Sequence, residues 1–188
     1  MRVVGGTLRG RALLAPSSQA VRPTSDRVRE SLFNVIAHAH PDALTGRVVD
    51  LFAGTGALGI EALSRGCTSG LFVDSSTEGR GLVRENIDAL GLGGRAKISR
   101  RDATALGPLT REEPFGLAFL DPPYGKGLGE RAVASLVEGR WLAHGALLAL
   151  EERKDAVPKA LAGFERVDLR LFGTTEIGLF VRRAAEEP

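Results

Sequence analysis

The sequence predicts an α/β chain: one mainly parallel β-sheet with helices on its faces, preceded by a basic extension. Three observations predict it. From residue 48 onward, short apolar stretches alternate with helix-like stretches. Most of those apolar stretches lack polar alternation, as strands buried on both faces do. One of them runs directly into a glycine turn and then a helical pattern, which is how nucleotide-binding strand–turn–helix units read.

Taken in order, residues 1–15, with Gly5-Gly6 and Gly10 between apolar pairs, predict a small β-hairpin. Residues 24–38 predict an amphipathic helix: Pro23 punctuates its start, Thr24 or Ser25 can cap it, and Val28, Leu32, Val35 and Ile36 share a face. Strands are expected over 48–52, 71–74, 96–100, 117–121, 146–151, 167–172 and 177–181. Helices are expected between them over 58–64, 76–90, 128–137 and 156–161. Val83, Ile87 and Leu90 form a stripe on the second, although Gly79 and Gly81 weaken its first turn. Gly173-Thr174-Thr175-Glu176 is too short for a crossover, so the last two strands must pair antiparallel. The organisation is an extension over 1–40 and an α/β domain over 41–188.

Composition narrows the function classes. A length of 188 residues suits one domain, and 43% hydrophobic with 26% charged residues is globular rather than disordered. No apolar run approaches the ~18 residues of a membrane span, and the N-terminus lacks a secretory apolar region, so a cytoplasmic protein is expected. Cys67 is the sole cysteine and only three histidines occur, so neither a disulfide nor a metal site is expected. Side-chain amides are confined to Gln19, Asn34 and Asn86, a shortage that fits a thermophile. Charge is unevenly placed. Residues 1–34 carry six arginines against Asp26 and Glu30, an excess of +4 in a chain of net +2, which leaves −2 for the remainder. A basic end of this kind is either a solvated face or a polyanion-binding surface.

Two motifs carry chemistry. In 48–59, Gly54, Gly56 and Gly59 fit G-x-G-x-x-G, which lets backbone approach a nucleotide cofactor, and Asp74 ends the next strand about 20 residues on, where it can accept from ribose hydroxyls. The spacing alone fits both NAD and S-adenosylmethionine. Asp50, just ahead of the loop, would repel a pyrophosphate but could face the ammonium of a methionine moiety. Asp102, after the third strand, can accept from an adenine amino group or cap a turn.

The second motif is Asp121-Pro122-Pro123-Tyr124, at the end of an apolar strand. The prolines fix φ and donate no hydrogen bond, so they present carbonyl acceptors on a rigid turn. An exocyclic amino group needs such a site, because its lone pair is delocalised into the base ring. Accepting its two N–H protons at the Asp121 carboxylate and the Pro122 carbonyl favours pyramidalisation toward a methyl donor. Tyr124, the only tyrosine, offers a face for a flipped-out base. Trp141 and Cys67 read as packing residues.

Asp-Leu-Phe-Ala-Gly-Thr-Gly followed by Asp-Pro-Pro-Tyr resembles the class I S-adenosylmethionine-dependent amino-methyltransferases, a group that includes enzymes acting on DNA adenine-N6 and protein glutamine-N5. The N-terminal stretches Val3-Val-Gly-Gly-Thr-Leu-Arg-Gly-Arg11 and Arg22-Pro-Thr-Ser-Asp-Arg-Val-Arg-Glu-Ser-Leu-Phe-Asn34 narrow this. They closely resemble the RsmD family of bacterial 16S rRNA (guanine(966)-N(2))-methyltransferases.

The resemblance spans nearly the whole chain and implies a Rossmann-like class I methyltransferase fold. It implies a seven-stranded, mostly parallel sheet with an antiparallel last strand. It implies that Asp50, Phe52, Gly54, Thr55, Gly56, Asp74, Asp102 and Ala103 bind S-adenosylmethionine, and that Asp121, Pro122 and Tyr124 hold the target guanine. Arg22, Thr24 and Arg27 would lie by the RNA and the active-site mouth, with Arg9 and Arg11 also facing RNA. The implied partner is 16S rRNA within the 30S subunit, met by a monomer. Asp74 departs from the family, which often has Glu there, and Phe172-Gly-Thr-Thr resembles a segment that usually begins with Tyr.

Competing classes remain open at this point. A nicotinamide dehydrogenase would share the glycine loop, but no convincing proton donor accompanies it. A non-catalytic ribosome-assembly module would have little reason to keep Asp121. A DNA adenine-N6 methyltransferase would ordinarily need a target-recognition insertion, for which 188 residues leave little room.

Overall fold

The computed structural model describes residues 1–16 and 25–184. Seven strands, β1 (Arg47–Leu51), β2 (Ser69–Val73), β3 (Ala96–Ser99), β4 (Phe115–Leu120), β5 (Leu142–Arg153), β6 (Phe164–Phe172) and β7 (Thr175–Arg182), form one sheet in the order β3-β2-β1-β4-β5-β7-β6. The first five pair in parallel, and β7 runs antiparallel to both β5 and β6. All seven expected strands are present, and the antiparallel last strand is where the short Gly173-Thr174 connection requires it.

Helices α1 (Asp26–Ala39), α2 (Ala57–Arg65) and α3 (Thr77–Ala89) cover one face, and α4 (Leu128–Glu138) covers the other. Strand residues divide by parity between the two layers. Val48, Phe72, Leu117, Phe119 and Leu147 join the first three helices, whereas Val49, Leu51, Ala118, Leu120 and Leu148 meet Ala132, Val133 and Leu136 of α4. Burial on both faces explains why these strands read as unbroken apolar runs. Trp141 stacks on Phe115 and donates its indole N–H to the Gly107 carbonyl at 2.7 Å, so it packs as expected. Among the described residues no helix is long and apolar enough to cross a membrane.

One local expectation fails, and one holds in shortened form. Residues 156–161 form an irregular connection rather than a helix; Pro158 lacks an N–H and biases Val157 away from helical backbone, and six residues cannot offset that. Residues 1–15 close as a short hairpin around a 3₁₀ turn at Gly6–Leu8: the Val3 N–H donates to the Arg11 carbonyl at 2.9 Å, the Gly10 N–H to the Val3 carbonyl at 2.8 Å and the Leu13 N–H to the Met1 carbonyl at 3.0 Å, with Arg2 bridged to Ala12. Its turn is docked on α2. Glu61 Oε2 accepts the Val4 N–H at 2.8 Å, while Ser64 Oγ accepts from Leu8 N–H at 2.9 Å and donates to the Gly5 carbonyl at 2.6 Å. Backbone groups around the turn are therefore satisfied by helix side chains, while those of the two arms bond one another.

The N-terminal segment and α1 share a core with the sheet. Val3, Leu13, Leu32, Phe33 and Ile36 lie in one cluster with Val48 and Phe119. Ser25 caps α1 by accepting the Val28 N–H. Arg29, fully buried, donates to Asp26 Oδ1 at 2.9 Å and to the Arg2 carbonyl at 2.5 Å.

Gly6 has φ +73°, and a Cβ there would lie 2.0 Å from the Ser64 carbonyl oxygen, whereas Gly10, at φ +85°, has open space around it. Gly6→Ala should lower stability by about 2 kcal/mol or more, against about 1 kcal/mol for Gly10→Ala, where only backbone strain acts. Paired urea unfolding curves of the two variants check the difference.

Candidate active site

Leu51 pairs with Leu120, so the segments following β1 and β4 emerge side by side at one edge of the sheet. After β1 the chain turns sharply: Phe52, Gly54 and Gly56 have φ of 58°, 54° and 75°. An aromatic residue in the left-handed region costs about 1–2 kcal/mol and persists only where its surroundings impose it. Three side chains do so. Asp74 Oδ2 accepts the Gly54 N–H, Asn86 Nδ2 donates to the Thr55 carbonyl, and Asp50 Oδ2 accepts the Gly59 N–H, each at 2.9 Å. Gly59 permits this approach: a Cβ there would lie 2.5 Å from the Phe72 ring and 3.1 Å from Asp50 Cβ.

The loop opens onto a cleft of about 870 Å³, within the range of small-molecule sites. Phe52, Gly54, Asp74, Asp102 and Ala103 line one side; Asp121, Pro122 and Tyr124 line the other. The structure thus brings together most of the expected residues of both motifs. Asp74 Oδ1 also accepts the Ser76 N–H and hydroxyl at 2.8 and 2.7 Å. A Cβ at Gly79 would lie 2.7 Å from Asp74 Oδ2, so the glycine that weakens the first turn of α3 makes room for this carboxylate. Asp102 Oδ1 accepts the Thr104 hydroxyl and N–H at 2.7 and 2.8 Å, bonds that hold its carboxyl below the usual range. The turn-capping alternative for Asp102 is therefore realised, with the residue still at the cleft.

The Tyr124 hydroxyl donates to Glu151 Oε1 at 2.7 Å and lies 3.4 Å from Thr175 Oγ1. Burial, reinforced by the Glu151 carboxylate and opposed by Thr175, pushes the phenol well above its usual range, so it remains a donor. Glu151, Arg153 and Thr175 line the cleft without having been singled out from the sequence. Their signal was nonetheless present, since Glu151 ends an apolar strand at the same sheet edge as Asp121. Asn86 was also missed as a working residue; it sits three residues after Val83 on the buried stripe of α3, bonded to the Leu14 N–H at 2.7 Å as well as to Thr55.

Other expected site residues fall elsewhere. Asp50, Thr55 and Gly56 are buried beneath the loop rather than lining the cleft. Burial pushes the Asp50 carboxyl up to about 8, opposed by the Gly59 N–H and reinforced by Asp74. Its contact is with the backbone of α2, not with the cleft where a ligand ammonium would sit. Arg9 and Arg11 are exposed, and Arg11 Nη2 donates to the Ala89 carbonyl at the end of α3, at 2.9 Å. Arg27 lines a separate hollow of about 740 Å³ with Asn34, Asp168 and Arg170, while Ser25 and Val28 of the same helix reach the cleft. Arg22 and Thr24 lie outside the described residues. Asp26, already counted against the N-terminal charge excess, pairs with both Arg2 and Arg29.

This strand order, with a glycine turn after β1 and an acid-Pro-Pro-aromatic turn after β4, is the class I methyltransferase fold. The structure of the protein yhhF from Escherichia coli superposes with a TM-score of 0.83 at 32% identity, covering 98% of each chain. The structure of a hypothetical protein from Thermus thermophilus gives 0.72 at 32% identity, covering 95% of this chain and 98% of that one.

The family model described as conserved hypothetical protein 95 matches residues 1–181. Ribosomal RNA small subunit methyltransferase D of Escherichia coli (strain K12) is 34% identical over 188 residues, spanning all of this chain and 92% of that protein. Its namesake in Haemophilus influenzae is 34% identical over 157 residues, 82% of this chain and 80% of that protein. The chain belongs to this family, the RsmD family.

Asn86→Ala removes the partners of Thr55 and Leu14 at once; stability should fall by about 2 kcal/mol or more, and affinity for S-adenosylhomocysteine should fall with it, as calorimetry would show. Asp50 generates a pH dependence. Its folded value of about 8 lies above its ordinary 3.8, so the protonated folded state is favoured at low pH. That contribution is lost as pH rises through about 8. The ligand-free protein should therefore unfold at progressively lower temperature from pH 5 to pH 9, and Asp50→Asn should flatten the trend.

Proposed function

We propose that the protein transfers a methyl group from S-adenosylmethionine to the exocyclic N2 of guanine 966 in 16S rRNA, within an assembled small-subunit particle. The observation that carries this reading is the single cleft shared by the glycine loop and the Asp121-Pro122 turn, together with relatives named as rRNA small subunit methyltransferases.

The residues fit the cofactor. Phe52 and Gly54 present backbone at the floor of the cleft, Asp74 stands where ribose hydroxyls would be accepted, and Asp102 with Ala103 flanks the adenine position. When bound, S-adenosylmethionine supplies an electrophilic methyl on a sulfonium. The chain's own residues then orient the nitrogen. Asp121 and the Pro122 carbonyl accept its two N–H protons, which localises the lone pair toward the methyl. Tyr124 stacks on the base and holds it in line. The proton that the nitrogen must shed on methylation would pass to Asp121 and then to water. Arg9, Arg11, Arg22 and Thr24 ahead of α1, with Arg27 in its first turn, contact phosphates, which position RNA without reading sequence.

The test is to incubate protein and labelled cofactor with unmethylated small subunits, free rRNA and duplex DNA, then digest to nucleosides. N2-methylguanosine from the ribosomal samples is expected. N6-methyladenine from DNA would replace this reading with the adenine-methyltransferase alternative, and no label anywhere would favour a non-catalytic assembly module. Asp121→Ala should cut turnover by about 10²–10³, the cost of losing one preorganised transition-state partner, with cofactor affinity nearly unchanged.

A further inference from the structure

Glu151 has no part in either motif, yet its placement matches what a guanine edge requires. Leu120 of β4 pairs with Leu150 of β5, so Asp121, just past the end of β4, and Glu151, still paired with Ile177 of β7, lie on adjacent strands, with backbones about 4.8 Å apart. Both line the cleft, and Glu151 is 8% exposed. The Tyr124 hydroxyl donates to Glu151 Oε1 at 2.7 Å. This bond directs the one phenolic donor at the carboxylate and away from a base stacked on the ring. The cleft lining thus holds three acceptors near the ring, the Asp121 carboxylate, the Pro122 carbonyl and the Glu151 carboxylate, with Arg153 also in the lining.

A row of acceptors sorts purines. Guanine carries an N1–H immediately beside its N2 amino group, so its edge offers adjacent donors. Adenine places the N1 lone pair beside its amino group, and 2-aminopurine carries the same N2 amino group as guanine beside an N1 lone pair. A carboxylate next to either lone pair would face like against like. Resting on the guanine-N2 reading above, we propose that Glu151 is a specificity-determining residue that accepts the guanine N1–H while Asp121 and Pro122 hold the N2 amino group.

The experiment compares kcat/KM on small subunits reconstituted with 16S rRNA carrying either guanosine or 2-aminopurine riboside at the target position. The wild-type protein should prefer guanosine by about 10²-fold or more, since a site built to pair one donor rejects an analogue lacking it. Glu151→Gln keeps an oxygen for the Tyr124 hydroxyl and adds an N–H that can meet the N1 lone pair. It should slow guanosine and narrow the preference by about tenfold or more. Tyr124→Phe should lower activity while leaving the preference near the wild-type value. Because the preference is a ratio within each variant, partial unfolding lowers both rates and does not move it. An unchanged ratio in Glu151→Gln, or equal narrowing in Tyr124→Phe, would overturn the proposal and reduce Glu151 to a support for the tyrosine. Absence of N2-methylguanosine from the guanosine subunits with wild-type protein would instead remove the underlying functional reading.

Discussion

The turn between β1 and α2 passes through left-handed backbone at Phe52, Gly54 and Gly56, and side chains from three other places in the chain hold it in that form. Asp50 works from inside β1, Asp74 from the end of β2 and Asn86 from the middle of α3. Each supplies a partner to a backbone group that a tight turn leaves without a ladder or helix bond. Release of any one would let the turn relax and would change the shape of the cleft floor. The parallel pairing of β1 with β4 then sets Asp121 opposite this floor. The geometry of the site is thus an outcome of sheet register and loop anchoring, and the residues that touch a ligand are only the last layer of it.

Much of this was legible in the chain itself. Apolar runs without alternation identify the central strands because burial on two faces leaves no place for polar residues. The two motifs are legible because each needs particular residues at fixed offsets: glycine where Gly54 and Gly56 take positive φ and where Gly59 meets Phe72, and proline where a carbonyl must stand on a rigid turn. What was not legible depends on contacts distant in sequence. The 1–15 segment has hairpin-like punctuation and closes as a short hairpin, but its docking on Glu61 and Ser64, nearly 60 positions away, left no mark in the sequence. Asn86 reads as a compositional oddity until Leu14 and Thr55 are seen to converge on it. Asp50 looks like a ligand-facing acid by position, but β1 buries it and turns its carboxylate to the Gly59 N–H.

The N-terminal charge illustrates the same limit. Counting arginines over residues 1–34 suggests a broad basic surface. In the fold, Arg29 is buried against Asp26 and the Arg2 carbonyl, and Arg11 satisfies a carbonyl at the end of α3. A cation at a helix C-terminus is favoured by the helix dipole as well as by its hydrogen bond. Charge on this segment therefore serves internal attachment, at Asp26 and at the end of α3, as well as any polyanion.

A structure of the protein bound to S-adenosylhomocysteine tests most directly whether the loop and the Asp121 turn form one site. The account predicts the ribose at Asp74, the adenine between Asp102 and Ala103, and the sulfur directed toward Asp121 and the Pro122 carbonyl, with the 52–56 backbone unchanged. A ligand seated in the hollow beside Arg27 and Asp168, or one whose sulfur points away from Asp121, would contradict it.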